Sequence, residues 1–69
     1  MKNLTYNKVC VADTLSQAII TAGYPCNPEA GARFYGVSVD QGLGTTTVHA
    51  FSDLTNDEES SINTIVQNQ

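Results

Sequence analysis

A thiol, an imidazole and a carboxylate are the ingredients of a nucleophile–base pair with an orienting acid, and Cys26, His49 and Asp53 supply one of each. In such a set the imidazole takes the thiol proton and the carboxylate holds the ring. Their spacing carries no information, because groups of this kind meet in space and not along the chain. Cys26 stands between Pro25 and Pro28 in YPCNP, and prolines fix a loop for ordinary structural reasons. With no site motif around any of the three, the chain reads as non-enzymatic, with no catalytic residue assigned. Zinc needs about four ligands, commonly at CxxC or HxxxH spacing. Cys10, Cys26 and His49 have no chelating pair among them, so neither a metal nor a cofactor is expected. The acidic run Asp57, Glu58, Glu59 lacks the oxygen ligands alternating around a central glycine that a calcium loop requires.

The stretch VDQGLGTTTVHAF, residues 39–51, raises phosphate binding as a second chemistry. A phosphate loop reads GxxxxGK[ST] and leads from a strand into a helix, where amides and the lysine neutralise the anion. Here the glycines lead into TTTVHAF, a strand-forming run without lysine, and the dinucleotide spacing GxGxxG is also missing. The stretch is therefore read as a β-hairpin. Gly42 and Leu43 are expected as the central pair of a two-residue type II′ turn, with the positive φ at Gly42. Counting outward opposes Val39 to Thr46, Val37 to Val48 and Tyr35 to Ala50 on one largely apolar face. Ser38 then meets Thr47, Gly36 meets His49, and Phe34 meets Phe51 on the other.

The elements that must position these residues belong to a small chain. Its 69 residues allow a single domain with a thin core. Such a core supplies about 3–5 kcal/mol, and oligomerisation is one common supplement. Charged residues make up only 14%, so Asn, Gln, Ser and Thr must cover the surface. A weakly charged surface repels its own copies little, which favours assembly. The net charge is −4, with Lys2, Lys8 and Arg33 the only cations. Three scattered cations make no basic stripe for a nucleic-acid backbone or an anionic membrane. No apolar run is long enough to span a bilayer, and the N-terminus has no uninterrupted apolar core of a signal peptide. Synthesis in a cytoplasm is expected, and with it two reduced thiols at Cys10 and Cys26; a bridge between them is the other reading.

Residues 5–12, TYNKVCVA, alternate Val9 and Val11 with Lys8 and Cys10, as a strand would. Leu4, Val11, Leu15, Ile19 and Ala22 also recur at helical intervals, so one long helix from Asn3 competes; the β-branched and aromatic content before Asp13 favours the strand. A helix over about 14–22 follows, with Leu15, Ala18, Ile19 and Ala22 as its apolar stripe. Asp13 or a Thr14–Gln17 capping box is expected to start it and Gly23 to end it. The loop YPCNPEAG leads to hairpin strands at about 32–41 and 44–52. A closing helix at about 56–67 has a Thr55–Glu58 capping box and a stripe of Ile62, Ile65 and Val66. The expected fold is α+β: a small antiparallel sheet, order β–α–β–β–α, packed against two helices.

Two helices can cover one face of such a sheet, leaving Phe34 opposite Phe51 on the far side, flanked by His49, Gly36 and Arg33. A cross-strand aromatic pair can simply stabilise a hairpin, by about 0.2–1 kcal/mol. Aromatics with a nearby Arg are also the usual anchors of an interface, which makes Phe34, Phe51, His49 and Arg33 candidate partner-binding residues. The helix ending in AGYP, the stretch GVSVDQGLGTTTVHAF and the segment DLTNDEESSINTIV together resemble small proteins encoded among bacteriophage structural genes. Those carry an A-G-hydrophobic-P helix end, a β-hairpin and an LTxxE helix. The likeness runs over residues 15–66 in outline, and the longer YPCNPEAG loop departs from it. The resemblance implies a virion or assembly accessory role without catalytic residues, in the host cytoplasm or a virion. It makes the partner a protein, either a second copy (a homo-oligomer) or a larger assembly. The alternative is an acidic inhibitor of a host defence or regulatory protein, with Asp53, Asp57, Glu58 and Glu59 as its contact surface.

Overall fold

A computed structural model describes residues 2–69. The elements are β1 (Lys2–Tyr6), α1 (Ala12–Thr21), β2 (Phe34–Asp40), β3 (Thr45–Ala50) and α2 (Asn56–Gln67). The strands form one antiparallel sheet in the order β1-β3-β2. The protein is thus an α+β fold of order β–α–β–β–α, as its patterning predicts. With period-2 alternation, one face of β3 presents Thr46, Val48 and Ala50, all fully buried. Leu4 of β1 and Phe34 of β2 join them, and the helices close over this face with Leu15, Ile19, Ile62 and Val66.

The first strand lies earlier than TYNKVCVA suggests. Residues 7–11 are a loop, and Val9 and Val11 are 48% and 68% exposed. The alternation there is not a sheet face, and the long helix from Asn3 does not form either. Side-chain bonding from the sheet holds this loop. Buried Thr46 donates its hydroxyl to the Lys8 carbonyl at 2.7 Å and accepts from the Cys10 N–H at 3.0 Å. The Lys8 ammonium reaches the Val66 and Gln69 carbonyls at 3.1 and 2.9 Å, a cation at the negative end of α2, whose own last turn has none.

α1 begins at Ala12 with Val11 as an N-cap that makes no side-chain bond, so the Asp13 and Thr14–Gln17 caps are not used. Its end follows the sequence. Gly23 has φ of 103°, Gly23 N–H bonds to Ile20 and Tyr24 N–H to Ile19, the paired closure that a left-handed residue permits. The capping box of α2 forms in both directions, Thr55 Oγ1 accepting from Glu58 N–H and Glu58 accepting from Thr55 N–H.

The hairpin keeps the expected register from Asp40↔Thr45 through Gly36↔His49. The turn differs. Its positive φ, 69°, is at Gly44 and not at Gly42. Asp40 Oδ1 accepts the Leu43 N–H at 3.1 Å, so a side-chain-closed turn over 41–44 replaces the two-residue one. At the other end the register slips between Phe34 and Gly36, and Phe34 pairs with Ala50. Tyr35 is the extra residue of a β-bulge. Consequently Phe34 does not oppose Phe51 on the outer face; it is fully buried in the core. Tyr35, expected on the core face, is 47% exposed and stacks on Phe51 at 4.4 Å between ring centroids.

Phe34→Ala is expected to cost about 3–5 kcal/mol, the scale of the whole core, and to unfold the chain. Tyr35→Ala should cost no more than about 1.5 kcal/mol, the upper worth of an aromatic stack. Urea titration of both compares them directly; equal losses would contradict the bulge. Thr46→Val should destabilise by about 1–3 kcal/mol, because the Lys8 carbonyl and Cys10 N–H lose their partner. Thr46→Ser, which keeps the hydroxyl, should stay near wild type in the same titration.

Candidate functional site

The face of the sheet turned away from the helices is uncovered and mostly polar. Asn3 and Thr5 of β1, Thr47 and His49 of β3, and Gly36 and Ser38 of β2 lie across it in register. The side chains bond to one another along rows that cross the strands. Ser38 Oγ and His49 Nε2 are 2.7 Å apart, and His49 Nδ1 stands 3.1 Å from Asn3 Oδ1. An amide oxygen only accepts, so Nδ1 donates to Asn3; in the neutral ring Nε2 is then bare and accepts from the Ser38 hydroxyl. In the next row Thr5 and Thr47 hydroxyls are 3.1 Å apart. A concavity toward the hairpin tip is lined by Ser38, His49, Thr47 and Thr5, with the 76% exposed Leu43 as its apolar part. At the other end of the face lies the Tyr35–Phe51 stack.

Of the residues expected at an interface, His49 is on this face, and half-buried Phe51 sits at its margin under Tyr35. Phe34 is not there. Arg33 is engaged within the chain: Nε and Nη2 donate to the two Glu58 carboxylate oxygens at 2.7 Å each, and Nη1 reaches Asp53 at 3.3 Å. Nη2 also donates to the Asp53 carbonyl at 3.2 Å. The fork-to-carboxylate geometry is the strong form of this pair. Bonding from Arg33, then from the Thr55 backbone, holds the Glu58 carboxyl down at about 2. Bonding to Glu58 in turn raises the Arg33 guanidinium above its usual value.

The acidic alternative surface is likewise divided. Asp53 and Glu58 belong to Arg33, and Glu59 bonds Lys2 at 2.8 Å. Asp57 is exposed and has no ion pair among the described residues. Next to Glu59, the Tyr6 hydroxyl donates to Asn63 Oδ1; burial of the ring, then the Glu59 charge, push this phenol up to about 12.

Cys26, His49 and Asp53 bond to different groups. The Cys26 thiol donates to the Tyr35 carbonyl at 3.4 Å, His49 faces Ser38 and Asn3, and Asp53 holds Arg33. Cys10 and Cys26 are both free thiols, Cys10 in the core. Among the described residues no cluster of three or more His, Cys, Asp or Glu is placed to hold a metal ion. Among the described residues no helix is long and apolar enough to cross a membrane.

Sequence reasoning missed Tyr35, Ser38, Asn3 and Thr5. The hairpin register already set Ser38, Thr47, Gly36 and His49 on one face. Asn3 was out of reach because the first strand was expected to begin at Thr5, three residues later than Lys2, and Thr5 because no pairing was assigned to that strand. Comparison with protein-family models, with curated proteins and with solved structures found no match.

Glu58 has a folded value of about 2 against an ordinary 4.5, so its contribution to stability is complete above about 4.5 and lost as pH falls toward about 2. With about a fifth of both side chains open to water, at 22% and 20%, solvent screens part of it. Glu58→Gln should flatten the acid limb of a stability–pH curve over that window. An unchanged slope would mean that Arg33 does not hold Glu58 in solution.

Proposed function

We propose that the protein is a protein–protein interaction module that docks through the uncovered face of its sheet. The supporting observation is that both helices pack on one side, while at the margin of the other Tyr35, next to the Gly36–His49 pair, stacks on Phe51. An exposed tyrosine ring backed by a second ring is a rigid, amphipathic contact with little side-chain entropy to lose, the usual character of an interface anchor. A three-stranded sheet with a thin core also gains from association, since burying the Tyr35–Phe51 rings adds apolar contact that the chain cannot supply alone.

The resemblance of the sequence layout to small proteins of bacteriophage structural genes suggests a setting for this module: a virion or assembly accessory protein that self-associates or binds a larger protein. A partner recognised by its phosphates fits poorly. Lys2, Lys8 and Arg33 all bind groups of their own chain, so contact with a nucleic-acid backbone would first have to break those bonds. The acidic-inhibitor reading has less support for the same reason, because three of its four carboxylates already have cations.

Sedimentation of the purified protein should show a defined oligomer, or a complex once the larger partner is supplied. Tyr35→Ser should weaken that association at least about fivefold, as loss of an aromatic anchor worth more than about 1 kcal/mol does, with the circular dichroism spectrum unchanged. A wild-type chain that stays monomeric and joins no particle would remove the proposal.

A further inference from the structure

We propose that Ser38 is a nucleophile toward uncharged carboxylic esters, with His49 as its general base and Asn3 as the residue that positions the imidazole. This goes beyond docking and uses the other end of the same face. Three features of the geometry carry it.

The first is the relay. Asn3 Oδ1 holds Nδ1–H at 3.1 Å and so directs the lone pair of Nε2 at Ser38 Oγ, 2.7 Å away. With the ring neutral, the bond to Asn3 selects the tautomer that a base needs, and each member comes from a different strand, so the sheet holds the three in line. The second is access. Ser38 is exposed and lines the concavity toward the hairpin tip. Leu43 offers an apolar contact for a short acyl chain, and the Asp40 carboxylate in the same lining disfavours an anionic substrate. The third is a hydrogen-bond donor for the developing oxyanion. Thr47 is directly opposite Ser38 in the register, and its hydroxyl pairs with that of Thr5. Two hydroxyls joined by one hydrogen bond use one proton between them, so the pair retains a second O–H to donate.

The reaction balances without a further reagent except water. Ser38 Oγ bonds to the ester carbonyl carbon as its proton passes to Nε2 of His49. The tetrahedral intermediate collapses, the carbon–alkoxide bond breaks, and the His49 proton goes to the departing oxygen. Water, deprotonated by the same Nε2, then releases the acid and restores the Ser38 hydroxyl.

The test uses the full chain with p-nitrophenyl butyrate near neutral pH. A burst of nitrophenolate, approaching one equivalent, should accompany a butyryl group on the peptide that contains Ser38. Ser38→Ala should abolish that label, and His49→Gln should slow its appearance about a hundredfold, the usual worth of a general base. Asn3→Asp should retain acylation, since a carboxylate also accepts from Nδ1–H. Asn3→Ala should slow it and change its pH profile, which a merely structural role for Asn3 would not do. Circular dichroism of each variant separates loss of reactivity from loss of fold. Butyrylation confined to lysine, tyrosine or cysteine, or a burst undiminished in Ser38→Ala, would overturn the assignment.

Discussion

One extra residue in β2 governs how the two faces of this sheet divide. From Asp40 to Gly36 the strand alternates in step with β3, and an unbroken alternation would turn Phe34 outward. The bulge at Tyr35 resets the alternation. Phe34, the largest fully buried side chain of the chain, then lies beside Ala50 under the helices. The small Ala50 leaves room for the ring, and the larger Phe51 lies past the end of β3, where Tyr35 covers it. A bulge costs a ladder hydrogen bond; here it exchanges an outward phenylalanine for a tyrosine, whose hydroxyl can remain in water.

Around that point the chain is tied by polar contacts more than by apolar bulk. Arg33 precedes Phe34, and its backbone carbonyl accepts from Phe51 N–H while its N–H donates to the Pro25 carbonyl. Its side chain grips Glu58 at the start of α2 and Asp53 in the connection before it. One residue thus joins the long loop, the end of β3 and the second helix. Thr46 and Lys8 do the same for the loop of residues 7–11, fixing it to the sheet and to the end of α2. In a small domain, where few side chains can be fully buried, satisfied polar ties of this kind set loop positions that packing alone would leave open.

With the cations turned to these internal tasks, the outer sheet face is left with neutral hydrogen-bonding side chains and an aromatic stack. The functional proposals rest on that division. Docking draws on the rings at one end, where an amphipathic surface can exclude water. Ester chemistry draws on the relay at the other, where strands hold three polar groups in line. Neither needs a charged partner, in keeping with a face on which carboxylates lie only at the rim.

Most of the architecture was legible in local signals. Gly23 ended α1, Thr55 and Glu58 capped α2, and the glycine-bounded alternation set the hairpin register from Asp40 to Gly36, because caps and alternation act between residues close along the chain. Whatever depended on distant partners was not legible. The segment at Val9 and Val11 has the composition of a strand, yet Thr46, thirty-odd residues away, holds it as a loop. Gly36 in FYGV is the type of residue that borders a bulge, but only packing decided that Phe34 turns inward and Tyr35 outward. Arg33 looked like a free anchor until the fold placed Glu58 against it. The sequence by itself determined the order of the elements, the two helices and the hairpin register from Asp40 to Gly36. The tertiary structure alone decided which aromatic is buried, which charges are neutralised and which hydroxyl meets the histidine, since each depends on contacts that close only when separate elements pack together.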